Sequence, residues 1–353
     1  GGFGRVHSRK RGLPEFDREQ PASALAEEIT TPGEGQIKVL FTGAGNPVLS
    51  TPNGRQLDDA LGKLEFMVSL DPYINETTRH ADIILPPTSA LEHDHYDMAF
   101  HSFAVRNTAR FNLPVFDKAE DSLHDWEIFN GLAERLGPLL GIAVQPYPEP
   151  AALADMALKA GPYAQSHQLS IAKLSEYPSG IDLGELQSQL PERLFTESKK
   201  IVCSRPEILS DIERAKAGLA SQDSQSLLLI GRRHVRSNNS WMHNFHRLVK
   251  GKPRCTVLMH PNDIDARELQ EGQQVEVSSR VGKVVADLVA SDEMMPGVVS
   301  LPHGWGHTYE DTRGSIAQAN AGVSCNDLTD EQEVDVLSGN AVLNGVPIEV
   351  RAA

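Results

Sequence analysis

Between residues 220 and 227 the chain changes its apolar pattern, and a single regular sheet cannot satisfy both patterns at once. Upstream, the apolar runs are short and continuous: "IKVLFTGAGNP", "LEFMVSLD" and "ADIILPP". Such runs suit strands buried on both faces, as in a parallel sheet covered by helices. The segment "PNGRQLDDALGKL" supplies a crossover helix between the first two. Downstream, "SLLLIG", "CTVLMH", "QQVEVSSRVGKVVADLVA", "GVVSLP" and "PIEVRA" read as short strands separated by turns. The third of these alternates and is broken around Gly282, which predicts an antiparallel hairpin, with Arg280 in a turn away from any ligand. The polar stretch "SQDSQS", residues 221–226, is the expected linker. The fold class is therefore α/β: a parallel-sheet domain over 37–220, of the kind whose strand ends can bind a nucleotide if they carry the motifs taken up below, followed by an all-β closed barrel over 226–353. Residues 1–36, rich in Gly, Pro and charge, are expected to form an irregular arm, with Arg9, Lys10 and Arg11 solvated.

With 353 residues and 40% hydrophobic content, the chain can bury more than one core. Its net charge of −15 would repel a phosphate backbone, so no nucleic acid is expected as a partner. Cys203, Cys255 and Cys325 lie far apart without a C-x-x-C pair, which predicts inert thiols rather than a cluster or zinc site. No apolar run reaches the roughly 20 residues of a membrane helix. Within "DSLHDWEIFNGLAERLG", Ser122, the apolar positions Leu123, Trp126, Phe129, Leu132, Ala133 and Leu136, and the closing Gly137 predict a capped amphipathic helix. The chain opens "GGFGRVHSRKRG" without an initiating Met, so it is expected to be part of something longer.

Three stretches carry candidate chemistry. In "GAGNP", Gly45, Asn46 and Pro47 follow a strand, so backbone N–H groups can approach a phosphate or sugar. The next strand ends at Asp71, whose carboxylate can accept from a ribose or a guanine edge. The same residues would equally make a turn and a helix cap. "GRRHVRSNNSWMHN", residues 231–244, places three arginines, two histidines, three asparagines and two serines in fourteen positions after an apolar strand. Arg offers a planar fork for pyrophosphate, and Asn and Ser can read ring edges. An exposed loop bonded only to water would show the same composition. "PHGWGH" surrounds His303 with glycines, permitting a close backbone approach. No third ligand accompanies His303 and His307, so no metal site is expected there. "EHDHYD" lacks regular spacing and is read as a polar surface loop.

"DPYINETTRHADIILPPTSALEHDHYD", with "GAGNP" about 25 residues upstream, resembles the molybdopterin oxidoreductases. That family includes formate dehydrogenases, nitrate reductases and enzymes of the dimethyl sulfoxide reductase type. "MHPNDIDARELQEGQQVEVSSRVGKV", "PGVVSLPHGWGH", "ANAGVSCNDLT" and "DVLSGNAVLNGVPIEV" follow the order of that family's carboxy-terminal domain. The resemblance covers roughly 37–137 and 226–351. It implies a partial molybdopterin oxidoreductase domain followed by a molybdopterin dinucleotide-binding barrel of double-psi type. It implies a bis(molybdopterin guanine dinucleotide) cofactor holding molybdenum or tungsten, with any iron–sulfur cluster and the metal's protein ligand in a missing amino-terminal region or partner subunit. It further implies an electron-transfer partner and a small-molecule substrate. By this match Gly45, Asn46, Pro47, Asp71, Thr77, Arg232, Arg236, Ser237, Asn238, Asn239, His243, His303, Gly304, Asn320, Asn326 and Asp335 are the cofactor-binding candidates, while Trp241 and Met242 are packing anchors. No catalytic residue is assigned. The expected compartment is the cytoplasm, with the periplasm as the alternative. Two other functions stay open. A stand-alone NAD-dependent dehydrogenase could use "GAGNP", although G-x-G-x-x-G spacing is lacking, and a non-catalytic interaction module would bind neither guanine nucleotide nor pterin.

Overall fold

The computed structural model describes residues 3–221 and 226–353, so most of the expected linker lies outside the described residues. The chain divides into two compact units. One joins the stretch up to Ile84 with Ser204–Ala353, and the other is Leu85–Cys203. The units thus follow a different division from the one expected at 220–226.

In the first unit, strands Val39–Gly43, Phe66–Leu70 and Ile83–Ile84 form a three-stranded parallel sheet with Phe66–Leu70 in the middle. Only that central strand is buried as the continuous runs predict; on the edge strand, Val39 and Phe41 are exposed. The expected crossover helix is Gly54–Leu61. Its N-cap Asn53 stands in the left-handed region, where its side chain accepts from the Gln56 N–H. Leu57, Ala60 and Leu61 pack with Ile29, Val48 and Met67 into one core, each large side chain worth about 1.5–3 kcal/mol of burial.

Residues 3–36 are not an irregular arm. Phe3–His7 pairs with Pro14–Phe16, and Leu25–Thr30 is a helix whose Ile29 enters that core. Arg9 and Arg11 are not solvated either. Arg9 donates to Glu28 Oε2 at 2.7 Å and to the carbonyls of Glu28 and Thr31, and Arg11 reaches Glu27 and the carbonyls of Ser23 and Glu331. The glycines and prolines shape turns between these elements, which composition alone reads as an irregular arm.

Six strands close the barrel in the order 274–278, 283–290, 257–259, 298–302, 227–232, 346–352. Parallel and antiparallel pairs are mixed: 227–232 runs parallel to 298–302, and 257–259 runs parallel to 283–290. This is the double-psi-type barrel expected of the second domain. The predicted hairpin pairs Val277 with Val284, and alternate side chains point into a core containing Leu229, Val257, Met259, Val275, Val277, Leu288, Val299 and Leu301. At Gly282 a Cβ would meet the Asp327 carbonyl oxygen at 2.4 Å, so the turn requires glycine. Arg280 is not free in that turn: it holds Asp330 and Glu331, tying the hairpin to the 330–331 segment.

In the second unit, Asn107–Ala109 and Ile181–Gly184 pair over a core of Ala109, Phe111, Leu158, Leu169 and Leu174. The expected helix spans Asp125–Leu139. It is capped at His124, whose N–H donates to Glu127 Oε2 at 2.7 Å, rather than at Ser122. The "EHDHYD" loop is not merely solvated, since His93 and His124 both bond the Thr88 hydroxyl, at 2.7 and 2.6 Å. No helix among the described residues is long and apolar enough to cross a membrane.

Candidate functional site

A cavity of the first unit is lined by the end of the central parallel strand and by loops of the barrel half. Asn46, Asp71, Asn75 and Glu76 line it from one side, and Ser240, Trp241, Asn244, His307, Thr312 and Gln318 from the other. Asp71 lies at the carboxyl end of Phe66–Leu70, where open parallel sheets place ligands. One of its oxygens accepts from the Tyr73 N–H at 2.8 Å and the other from Asn75 at 3.3 Å. Burial raises its pKa above the usual carboxylate value despite these bonds.

Beside it, Asn46 precedes the short helix Pro47–Ser50, with Pro47 at its first position. The Asn46 amide donates to Glu76 Oε2 at 2.7 Å, and its carbonyl accepts from Thr77 Oγ1 at 2.8 Å. Thr77 Oγ1 in turn accepts from the Val48 N–H. Thr77 is therefore fully buried behind the cavity as a brace. Gly45 sits between Ala44, at φ 51°, and Asn46, and its own position leaves ordinary contacts for a Cβ.

His307 Nδ1 lies 2.8 Å from Glu76 Oε1, and its Nε2 lies 2.8 Å from His243 Nδ1. His243 is buried and stacked on Trp305 at 4.0 Å. Burial first, and His307 second, push His243 down to about 3. For Glu76, burial pushes upward, but the hydrogen bond and charge of His307, with the Asn46 amide, bring the carboxyl below its ordinary range.

The arginine-rich loop divides. The Arg232 guanidinium is turned into the barrel, donating to the carbonyls of Ser300 and Thr256 at 2.7 Å and of Arg254 at 3.0 Å. Those donors are spent on backbone, so they do not face a phosphate. Arg236 is exposed, and its guanidinium has no partner among the described residues. Ser237 is buried. Asn238 and Asn239 both take left-handed φ, 43° and 59°, and Asn239 accepts from Arg233. Gly304, at φ 87°, presses on this loop so closely that a Cβ would stand 2.2 Å from the Asn239 carbonyl oxygen. The neighbouring His303 N–H donates to the Arg232 carbonyl, and burial, then Arg233, lower its pKa.

The remaining candidates lie apart from the cavity lining. Asn320 bonds the Ile316 carbonyl at a helix end. Asn326 is buried and donates to the Leu49 carbonyl at 2.7 Å. Asp335 accepts from Ser338 within a local turn. Trp241 corrects the packing-anchor reading: it is 48% exposed and lines the cavity. Sequence reading missed Glu76 as a site residue and set His307 aside. Their pairing spans 231 positions, a separation no local motif can signal.

Residues 8–135 match the family described as Molybdopterin oxidoreductase, and residues 227–347 match the Molydopterin dinucleotide binding domain. The assimilatory nitrate reductase catalytic subunit of Bacillus subtilis is 36% identical over 126 residues, 36% of this chain and 17% of that protein. An F420-dependent formate dehydrogenase subunit alpha from Methanocaldococcus jannaschii is 25% identical over 79% of this chain and 40% of its own length. Acetylene hydratase from Pelobacter acetylenicus shares the fold, with a TM-score of 0.65 and 17% identity over 94% of this chain and 46% of that one. The chain spans less than half the length of each of these proteins. Because one of the two families matches in each half of the chain, on either side of residues 136–226, the protein belongs to the molybdopterin oxidoreductases.

Proposed function

We propose that this chain is the cofactor-binding part of an oxidoreductase that carries bis(molybdopterin guanine dinucleotide) with molybdenum or tungsten. The observation that carries this reading is Asp71. A buried carboxylate at the end of a parallel strand, already holding one N–H on each oxygen, lines a cavity. Its free lone pairs suit the adjacent N–H groups of a guanine or the hydroxyls of a ribose. The donor set fits the group in two further ways. The paired left-handed asparagines and the Gly304 contact let backbone come close to a ligand, and Arg236 offers an unpaired fork for phosphate.

In this arrangement Asn46 is held by Glu76 and Thr77 and orients the wall, Asp71 reads the nucleotide end, and Trp241 covers an apolar face. When bound, the cofactor supplies two-electron redox chemistry at its metal. The chain binds and orients it. Turnover requires segments or a partner subunit beyond these residues, together with an electron-transfer partner, so the chain by itself binds without catalysing.

The test is guanine nucleotide binding by calorimetry. GMP should bind to the chain, AMP should compete weakly, and Asp71→Ala should weaken GMP by about 10- to 100-fold, the value of charge-assisted hydrogen bonds worth roughly 1.5–3 kcal/mol. Equal affinity for GMP and AMP, or no effect of Asp71→Ala, would remove the assignment.

A further inference from the structure

Charge sets one stretch of the barrel half apart from the rest of the chain. Between Asp223 and Asp263 the sequence has five arginines and two lysines but no carboxylate, so in a chain of net charge −15 all 48 Asp and Glu side chains lie outside that interval. Two of the arginines turn inward. Arg254 donates to the carbonyls of Leu248 at 2.8 Å and Lys250 at 3.1 Å, and its own carbonyl accepts from Arg232 at 3.0 Å. These bonds fix residues 245–254 to the end of the strand Leu227–Arg232, and Gly304 presses on the neighbouring loop at Asn239.

The other cations face outward on this fixed backbone. Arg236 is assigned above to the cofactor. Arg233, Arg247, Lys250 and Lys252 are exposed, and none forms an ion pair among the described residues. Exposed cations elsewhere do find carboxylates, as Lys38 does with Glu65 and Arg351 with Glu276. Set among the four in the chain are Val235 and Phe245, 91% and 52% exposed. Clustered cations without counter-charges repel one another, and an anionic surface relieves that repulsion and is drawn in by it. The exposed carbon decides which kind of anion. A small anion or a phosphate polymer would use the cations and leave Val235 and Phe245 wet, and a nucleic acid would also meet the acidic remainder of the chain. Apolar side chains flanked by arginine are instead the composition of a protein interface.

We propose that residues 233–254 form the docking surface for an acidic protein. Its Asp and Glu side chains meet Arg233, Arg247, Lys250 and Lys252, and its apolar side chains cover Val235 and Phe245. Electron-transfer complexes are small and steered by charge, so the electron-transfer partner is the protein that fits. That identity rests on the proposed function; the chemistry of the surface rests on its own residues.

The experiment uses the full chain and follows three labelled probes by fluorescence anisotropy: a short peptide of Asp and Glu with interspersed Leu and Phe, polyglutamate of the same length, and a short DNA duplex. The mixed peptide should bind, and should weaken by about 10-fold from low to physiological salt. Arg247→Glu/Lys250→Glu/Lys252→Glu should weaken it by about 100-fold, and Phe245→Ser by about 5-fold. GMP affinity should stay unchanged in both variants, since none of these four residues lines the Asp71 cavity. Lys10→Glu/Lys63→Glu, at exposed lysines elsewhere, should bind the peptide as the wild type does. Absence of peptide binding, or binding that the triple reversal leaves intact, overturns the proposal. Polyglutamate binding as tightly as the mixed peptide, with Phe245→Ser silent, also overturns it, because only unspecific charge would remain. Preference for the DNA duplex would make the surface a phosphate site and overturn it too. If circular dichroism shows the triple variant unfolded, Phe245→Ser and the wild-type probe preferences decide. Failure of GMP to bind at Asp71 would count against the cofactor reading and leave the docking surface standing.

Discussion

Arg232 lies in a loop whose composition points to a ligand, yet its guanidinium gathers three backbone carbonyls at one end of the barrel. Arg232→Ala strands those acceptors, so the chain should lose roughly 2–4 kcal/mol of stability, read as a lower urea midpoint. Arg232→Lys should recover part of it, since an ammonium keeps the charge but not the fork. An unchanged midpoint in Arg232→Ala would return this arginine to the list of ligand contacts. His243 gives a pH dependence of definite sign. Folded, it titrates at about 3; unfolded, near 6.5. Between these values the unfolded chain binds a proton that the folded chain does not, so stability falls as pH drops from about 6.5 toward 3. Glu76 acts the same way lower down: its depressed value stabilises above about 4.5 and that contribution is lost as pH falls through the folded value. Asp71, raised by burial, acts in the opposite direction. In His243→Phe the fall between pH 7 and pH 5 should be shallower than in the wild type. Parallel curves would mean that His243 carries no such linkage.

Elements with a strong local pattern were legible, and elements defined by long-range pairing were not. The strands of the barrel alternate because one face of each meets the core at Val275, Val277, Leu288 and Val299, so period two survives in the sequence. Asn46 and Asp71 were legible because a strand end followed by a turn is a local signal. By contrast, Phe3–His7 and Leu25–Thr30 are too short to show a period, and beyond the core contacts of Ala26 and Ile29 they are secured by Arg9 and Arg11 reaching carboxylates and carbonyls, a kind of stabilisation that composition reads as solvated charge. Arg280 does lie in the hairpin turn where the sequence places it, but its ion pairs join residues 50 positions apart and leave no local signal. Its guanidinium clamps Asp330 and Glu331, and because Arg280 is half exposed, Arg280→Ala should cost only about 1 kcal/mol by thermal or urea unfolding. A sharper effect belongs to Gly304. Its positive φ and the 2.2 Å separation from the Asn239 carbonyl leave no room for a methyl group, so Gly304→Ala should displace the 237–240 loop. The amide signals of Asn238 to Ser240 should shift markedly while those of Gln274 to Ala290 stay in place. Shifts confined to residue 304 and its neighbours would show that the two loops are not pressed together.

Across the whole molecule, the expected boundary near 220–226 suggests that a protease nick there should free a β-rich piece of roughly 130 residues. The contacts inside the first unit oppose this. Residues before Ile84 meet the barrel half through buried or directed bonds: Asn326 to the Leu49 carbonyl at 2.7 Å, Glu76 to His307 at 2.8 Å, Arg55 to Asp327 at 2.9 Å, Asn53 to Glu331 at 2.8 Å and Arg11 to the Glu331 carbonyl at 2.8 Å. Two of these are buried hydrogen bonds, and leaving such groups unpaired costs about 1–3 kcal/mol each. A cut at 222–225 severs the backbone without touching any of them. Nicked chain should therefore show two bands under denaturing conditions and a single species at the intact size by native size-exclusion chromatography. The pieces should part only in denaturant or in acid low enough to protonate Glu76 and dissolve its pairing with His307. A barrel fragment that elutes alone from the nicked protein at neutral pH would show that these bonds do not hold the unit together, and that the boundary read from the change of apolar pattern is the physical one.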